Sequence, residues 1–209
     1  MPLIVPDRTR SASVGTIRGM YRFDPDGGAG AGDAGAATRS QAEGRPGATL
    51  LFSGSACQAT IEARRLLSAD WGVDAELWSV TSYKSLREEA ISVERWNRLH
   101  PGGAPRVPYV TQCLAGGTGP VVAVTDFMRA VPDQVSRWTP RRFTSLGTDG
   151  FGRSDTREVL RRFFEVDAAH IVVAALHGLA ADQAIPEDSV AVALDRYGID
   201  PGASDPWSN

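Results

Sequence analysis

Lysine is almost missing from this chain: of 22 basic residues only Lys84 is lysine. A mechanism that needs a second lysine is therefore excluded, and Lys84 is the sole candidate for a Schiff-base or acyl-carrying amine. Cysteine is scarce too. Cys57 and Cys113 cannot by themselves form a disulfide framework or a four-cysteine zinc site. Positive charge is not in excess. The net charge of −3 offers no basic footprint for nucleic acid or an anionic membrane surface. No apolar run approaches the roughly 20 residues that span a bilayer. The N-terminal MPLIVPDRTR lacks the apolar centre of a signal peptide. These absences lead us to expect a cytoplasmic protein whose partners are neither nucleic acid nor membrane.

What is present is an ordinary globular mixture. Of 209 residues, 42% are apolar and 22% charged, enough for one well-formed core. Residues 24–47 (DPDGGAGAGDAGAATRSQAEGRPG) carry almost nothing large to bury, so we expect a flexible insertion there. Before it, IRGMYRF (17–23) has strand character, with Ile17, Met20 and Phe23 able to face a core. Residues 1–16 read as a lead-in. The tail from 199 to 209 is polar and turn-rich, and we expect it to be loosely held.

Between these segments strands and helices alternate. Strand patterns occur at 48–56, 75–82, 120–127 and 142–150. Helical patterns follow at 57–72, 83–99, 128–138 and from Ser154 to about Val166, and two further helices are expected at 168–180 and 186–198. Near-continuous apolar strands separated by helices predict a buried, mostly parallel α/β sheet with helices on both faces, and IRGMYRF could add an antiparallel edge. Several predicted strands end in small or polar residues: Ser53-Gly54-Ser55, Thr81-Ser82, Thr125-Asp126 and Gly147-Thr148-Asp149-Gly150. In such sheets the carboxyl ends line the binding crevice. The same residues also serve as helix caps.

GTDGFGRSD (147–155) is the densest candidate site. It follows a predicted strand and precedes a helix, so its backbone amides could receive an anion beside Arg153. It has neither the Gly-Lys-Ser/Thr end of a P-loop nor the spacing of a dinucleotide fingerprint. It also reads as a plain turn and cap, with Ser154 or Asp155 as N-cap and Glu158 in capping-box position. His170 and His177 share a face of an apolar helix but have no third ligand nearby in sequence. His100 closes a predicted helix, where it suits the C-terminal dipole or a partner contact. Cys57 opens a helix whose dipole would lower its pKa, although a buried, inert thiol is the commoner outcome. No self-sufficient catalytic apparatus emerges.

The runs SVTSYKSLREEA, ERWNRLHP, PRVPYVTQ, VAVTDFMRAVPDQV and LGTDGFGRSDTREVLRRFFEVDAAHIVVAAL, with the lead-in IRGMYRF, resemble the C-terminal domain of homodimeric bacterial pyruvate dehydrogenase. That enzyme is the thiamine-diphosphate-dependent decarboxylating component of its complex, in the transketolase superfamily. The likeness runs from about Ile17 to Gly198. It implies a three-layer transketolase C-terminal-domain-like fold: a mostly parallel five-stranded sheet with one antiparallel strand. The resemblance also implies that thiamine diphosphate and Mg2+ are held by two other domains, while the third builds the dimer and the substrate entrance. This chain lacks the family's Gly-Asp-Gly followed by a spaced asparagine, for its only asparagines are Asn97 and Asn209. We therefore expect no catalytic, cofactor or metal residue here.

The chain begins at Met1 where a family chain has already completed two domains. It reads either as an excised domain or as a separate product working with partners, and Met1 favours the second. The leading expectation is a non-catalytic subunit of a split enzyme. A thiamine-diphosphate-binding chain would supply the first two domains, and a lipoyl or acyl-carrier domain would receive a two-carbon unit from a 2-oxo acid or a ketose. A homodimer or heterotetramer would result. The alternatives are a stand-alone anion-binding or regulatory module and a remnant without a separate role. The residues expected at an interface or anion site are His100, Asp149, Phe151, Arg153 and Ser154, with Tyr109, Phe127 and Trp138 as further apolar contacts.

Overall fold

The structure, a computed structural model, describes residues 10–25 and 44–208. Five strands form one sheet: β1 (Met20–Phe23), β2 (Gly47–Phe52), β3 (Asp74–Val80), β4 (Val121–Val124) and β5 (Phe143–Leu146). Their order is β1-β3-β2-β4-β5. β1 lies antiparallel to β3, and every other pairing is parallel. The chain thus leaves β2 for β3 on one side and crosses back to β4 on the other.

Two cores flank the sheet, because successive side chains of a strand point to opposite faces. Leu50, Phe52, Val122 and Val124 pack with Leu67, Ile171 and Leu176 on one face. That face is covered by α2 (Cys57–Trp71) and α7 (Ala168–Ala181), with α8 (Ser189–Arg196) outside. Leu51, Val121 and Ala123 pack on the other face with Leu86, Val110 and Leu114. These last three come from α3 (Tyr83–Leu99) and α4 (Tyr109–Leu114). Central β2 and β4 are apolar at almost every position because both their faces are buried. The result is the expected three-layer arrangement.

Several local expectations are corrected. A helix, α1 (Arg10–Arg18), occupies the start of the predicted strand, and Ile17 is 82% exposed rather than facing a core. Gly19, at φ +108°, ends α1 and presents its carbonyl to the amides of Thr81 and Ser82, so pairing begins only at Met20. The short helix α4 was not foreseen. Pro108 precedes it and sets its entry. After β4 come a single helical turn, α5 (Ala130–Asp133), and a 3-10 turn at Ser136–Trp138.

The helix after β5, α6 (Arg157–Phe163), starts later than Ser154. Its N-cap is Thr156, whose hydroxyl accepts from the Val159 amide, while the Asp155 carboxylate accepts from the Thr156 amide. Neither Ser154 nor Asp155 is the cap, so Glu158 falls out of the capping-box position. α8 likewise starts at Ser189, with Pro186–Asp188 left in a turn before it.

The tail is not loosely held at its end. Pro206 is buried within a 3-10 turn, and Trp207 lies beneath the Arg129 guanidinium at 4.5 Å. Of the expected insertion, residues 26–43 lie outside the described residues. Gly47 already belongs to β2, and Pro46 accepts the Asp74 amide.

Residues 157–181 are long enough for a membrane span, and an 18-residue stretch within them has a mean hydropathy of 1.4. They form two helices rather than one, broken at Glu165 with φ +57°, and α7 packs against α2.

Candidate functional site

The winding of the sheet reverses between β2 and β4, and in open α/β sheets ligands enter beside the strand ends at that reversal. Here the two ends are tied together. Ser53 Oγ donates to Thr125 Oγ1 at 2.7 Å in a buried pair, and the same Thr125 oxygen accepts the Phe127 amide at 3.2 Å. The Ser55 amide donates to Asp126 Oδ2 at 2.9 Å. This closeness requires Gly54: its φ is +58°, and a Cβ there would lie 1.9 Å from Asp126 Oδ1. From the loop after β5, Thr148 donates its hydroxyl to the Asp126 carbonyl at 2.8 Å.

Above these ends opens a cleft of about 330 Å³. Its polar rim includes Ser55, Asp126, Thr148 and Asp155, with Arg157 and Arg161 from α6. Leu160, Phe164 and Val166 supply an apolar wall. Arg161 donates to the Ser55 carbonyl at 2.6 Å, fastening α6 to the β2 turn. Three of the four strand ends singled out by sequence therefore meet in one place. The fourth, Thr81-Ser82, works as a cap: Ser82 Oγ accepts the Ser85 amide at 3.1 Å.

The 147–155 turn lies beside the cleft. Asp149 accepts the Arg129 amide at 3.0 Å and faces the Arg129 guanidinium at 3.3 Å. Gly147 passes so close to the Phe127 carbonyl that a Cβ would sit 2.6 Å from it, and Gly150, at φ +96°, packs on Trp207. Phe151 is 84% exposed. The Arg153 guanidinium lies over the Phe163 ring at 4.4 Å, and Ser154 is exposed.

His100 is not with them. It caps the C-terminal end of α3, where it stacks on Trp96 at 4.3 Å. Tyr109 is half-buried beneath Arg18, and Trp138 is buried with its indole N–H on Glu94. Phe127 is exposed, and its carbonyl accepts the Thr148 amide at 2.9 Å, at the start of the turn that carries the exposed Phe151. Two further exposed residues that sequence reasoning missed are Met128, next to Phe127, and Trp207, against Gly150. Met128 could have been suspected beside Phe127 in a strand-end loop. Trp207 could not, since its place depends on a long-range return of the tail.

The reactive side chains elsewhere are committed or damped. Burial pushes the Cys57 thiol up, against the dipole, and pushes Cys113 up to about 11. Lys84 pairs with Glu88 at 3.0 Å on the surface. Asp167 is held below the usual carboxylate range: burial opposes this, but hydrogen bonds from the His170 ring and amide outweigh it. Among the described residues no three His, Cys, Asp or Glu side chains cluster as a metal site. A diphosphate bound through a divalent metal needs a free carboxylate in its glycine turn, and Asp149 is engaged by Arg129. The residues of this turn do not fit that group.

The chain is similar to known proteins along most of its length. A family model described as the transketolase-like TK C-terminal domain matches residues 35–167. The chain is 42% identical over 204 residues, 97% of its length, to the pyruvate dehydrogenase E1 component of Pseudomonas aeruginosa, and covers 22% of that protein. It is 47% identical over 163 residues, 78% of its length, to the E1 component of Cupriavidus necator, covering 18% of that one. The chain therefore spans about a fifth of the length of these curated relatives. Among solved structures it is similar to an inactive split-gene transketolase tetramer at TM-score 0.43 and 19% identity, covering 65% of this chain and 40% of that one. A transketolase from Leishmania mexicana gives 0.46 and 16%, covering 84% of this chain and 20% of that one.

Proposed function

We propose, from the premise that this chain belongs to the family of transketolase-like C-terminal domains, that it serves as the third, non-catalytic domain of a thiamine-diphosphate-dependent 2-oxo acid decarboxylating assembly. The observation that carries this reading is 42% identity along 97% of the chain to a stretch that makes up 22% of an E1 component. Thiamine diphosphate and Mg2+ would be held by the domains that make up the rest of such an enzyme, carried on a partner chain. When bound there, the cofactor supplies the carbanion chemistry that removes carbon dioxide and passes a two-carbon unit to a lipoyl or acyl-carrier arm. This chain would supply no atom to that chemistry.

Its own contribution would be a docking face. Phe127, Met128, Phe151 and Trp207 form exposed apolar surface around the carboxyl ends of β4 and β5. Asp149 and Arg129 brace that surface from within, and Arg153 and Ser154 border it. Exposed apolar and aromatic side chains grouped in neighbouring strand-end loops suit a protein interface. His100, at the C-terminal end of α3, would make at most a separate contact.

Affinity purification of the tagged chain from its own cells tests the reading. A co-purifying chain that binds thiamine diphosphate and contains the first two transketolase-type domains is the expected result. Recovery of this chain alone, at cellular concentration, would overturn it.

A further inference from the structure

The cleft between the ends of β2 and β4 plays no part in the docking face, and its chemistry is specific. Its two cations differ in commitment. Arg161 spends one N–H on the Ser55 carbonyl and retains the rest of its donor fork. Arg157 lines the cleft, and its side chain makes no hydrogen bond or ion pair among the described residues. Two carboxylates, Asp126 and Asp155, share the rim, so the lining is close to neutral overall. The two carboxylates offset the arginines, so repulsion rises with each added negative charge and the guanidinium donors match one carboxylate better than a dianion. Leu160, Phe164 and Val166 offer no polar atom of their side chains to a ligand, so the rest of the occupant must be apolar.

The rim is also built rather than incidental. The Ser55 amide and the positive-φ Gly54 hold Asp126 in place, and Ser53 and Thr125 lock the two strand ends beneath it. A rigid, mostly apolar recess with a few convergent polar groups at a topological switch point is the usual form of a small-molecule site.

We infer that this cleft binds a small organic monocarboxylate with an apolar body, the carboxylate resting on Arg157 and Arg161 and the body on Leu160, Phe164 and Val166. The site is independent of the docking face and holds whether or not the chain assembles.

The test is titration of the full ¹⁵N-labelled chain with 3-phenylpropionate, followed through its backbone amides. The expected result is saturable shifts centred on Ser55, Ala56, Leu160 and Phe164. The neutral counterpart 3-phenylpropanol should bind at least about tenfold more weakly, as should inorganic phosphate, since a charge-assisted hydrogen bond is worth roughly that factor. Arg157→Gln, at an exposed position, should keep the dispersion of the native spectrum and lower the affinity of the acid by about tenfold. Shifts that fail to saturate or scatter over the surface would overturn the site. So would equal binding of acid and alcohol, phosphate binding as tight as the acid, or unchanged affinity in Arg157→Gln.

Discussion

Gly54 concentrates much of the local argument in one residue. It combines a left-handed φ with a carboxylate where a side chain would begin. Gly54→Ala should therefore destabilise the fold by about 1–3 kcal/mol, a cost typical of strained backbone plus a displaced neighbour. The midpoint of urea unfolding checks this, and an unchanged midpoint would contradict it. Cys113 yields a second residue-level expectation. Burial raises its thiol pKa from 9.0 in the unfolded chain to about 11. The folded state thus disfavours the thiolate. Its stabilising contribution is complete below about pH 9 and is lost as pH rises through about 11. Unfolding free energy measured from pH 8 to 11 should fall, and Cys113→Ala should make the fall shallower. The importance of Gly54 was visible in the sequence only as a small residue at a strand end. Its partner Asp126 lies 72 residues further on, beyond the reach of local pattern.

Helices were legible where periodicity ran long and uninterrupted. α3 matches its expected bounds, because its apolar stripe (Tyr83, Leu86, Ala90) recurs at helical spacing and Ser82 caps it. α1 and α4 were not expected: both are short, with nine and six residues, too few for a helical period to stand out. The start of α6 was misplaced because three adjacent residues, Ser154, Asp155 and Thr156, are all good caps, and only the fold decides among them. α7 offers the clearest test at this scale. Asp167 accepts the His170 amide at 2.9 Å and the His170 ring at 2.7 Å. Because its folded pKa is depressed, its contribution is present above the unfolded carboxylate pKa and is lost as pH falls through the folded value. Asp167→Ala should cost about 1–2 kcal/mol at pH 7. It should also flatten the acid limb of the stability profile. Asp167→Asn should keep most of the cap and lose the pH dependence. Identical acid limbs in wild type and Asp167→Asn would refute this account of the cap.

For the molecule as a whole, the strand-helix alternation announced a buried parallel sheet, and the small residues at strand ends announced where its crevice would open. Strand order was less accessible, since it depends on which strand each crossover passes. The docking face was half legible: Phe127 and Phe151 stood out as aromatics in strand-end loops, whereas Trp207 reaches Gly150 only through the folded tail. If that face engages a partner, Phe151→Asp should leave stability within about 0.5 kcal/mol, being a change at an exposed position, and should weaken the complex. Charge reversal at Arg153 should act in the same direction. The most direct measurement is reconstitution: the thiamine-diphosphate-binding partner is assayed for two-carbon transfer from a 2-oxo acid to a carrier, with and without this chain. The account predicts transfer that depends on this chain and declines with Phe151→Asp; equal rates in both mixtures would contradict it.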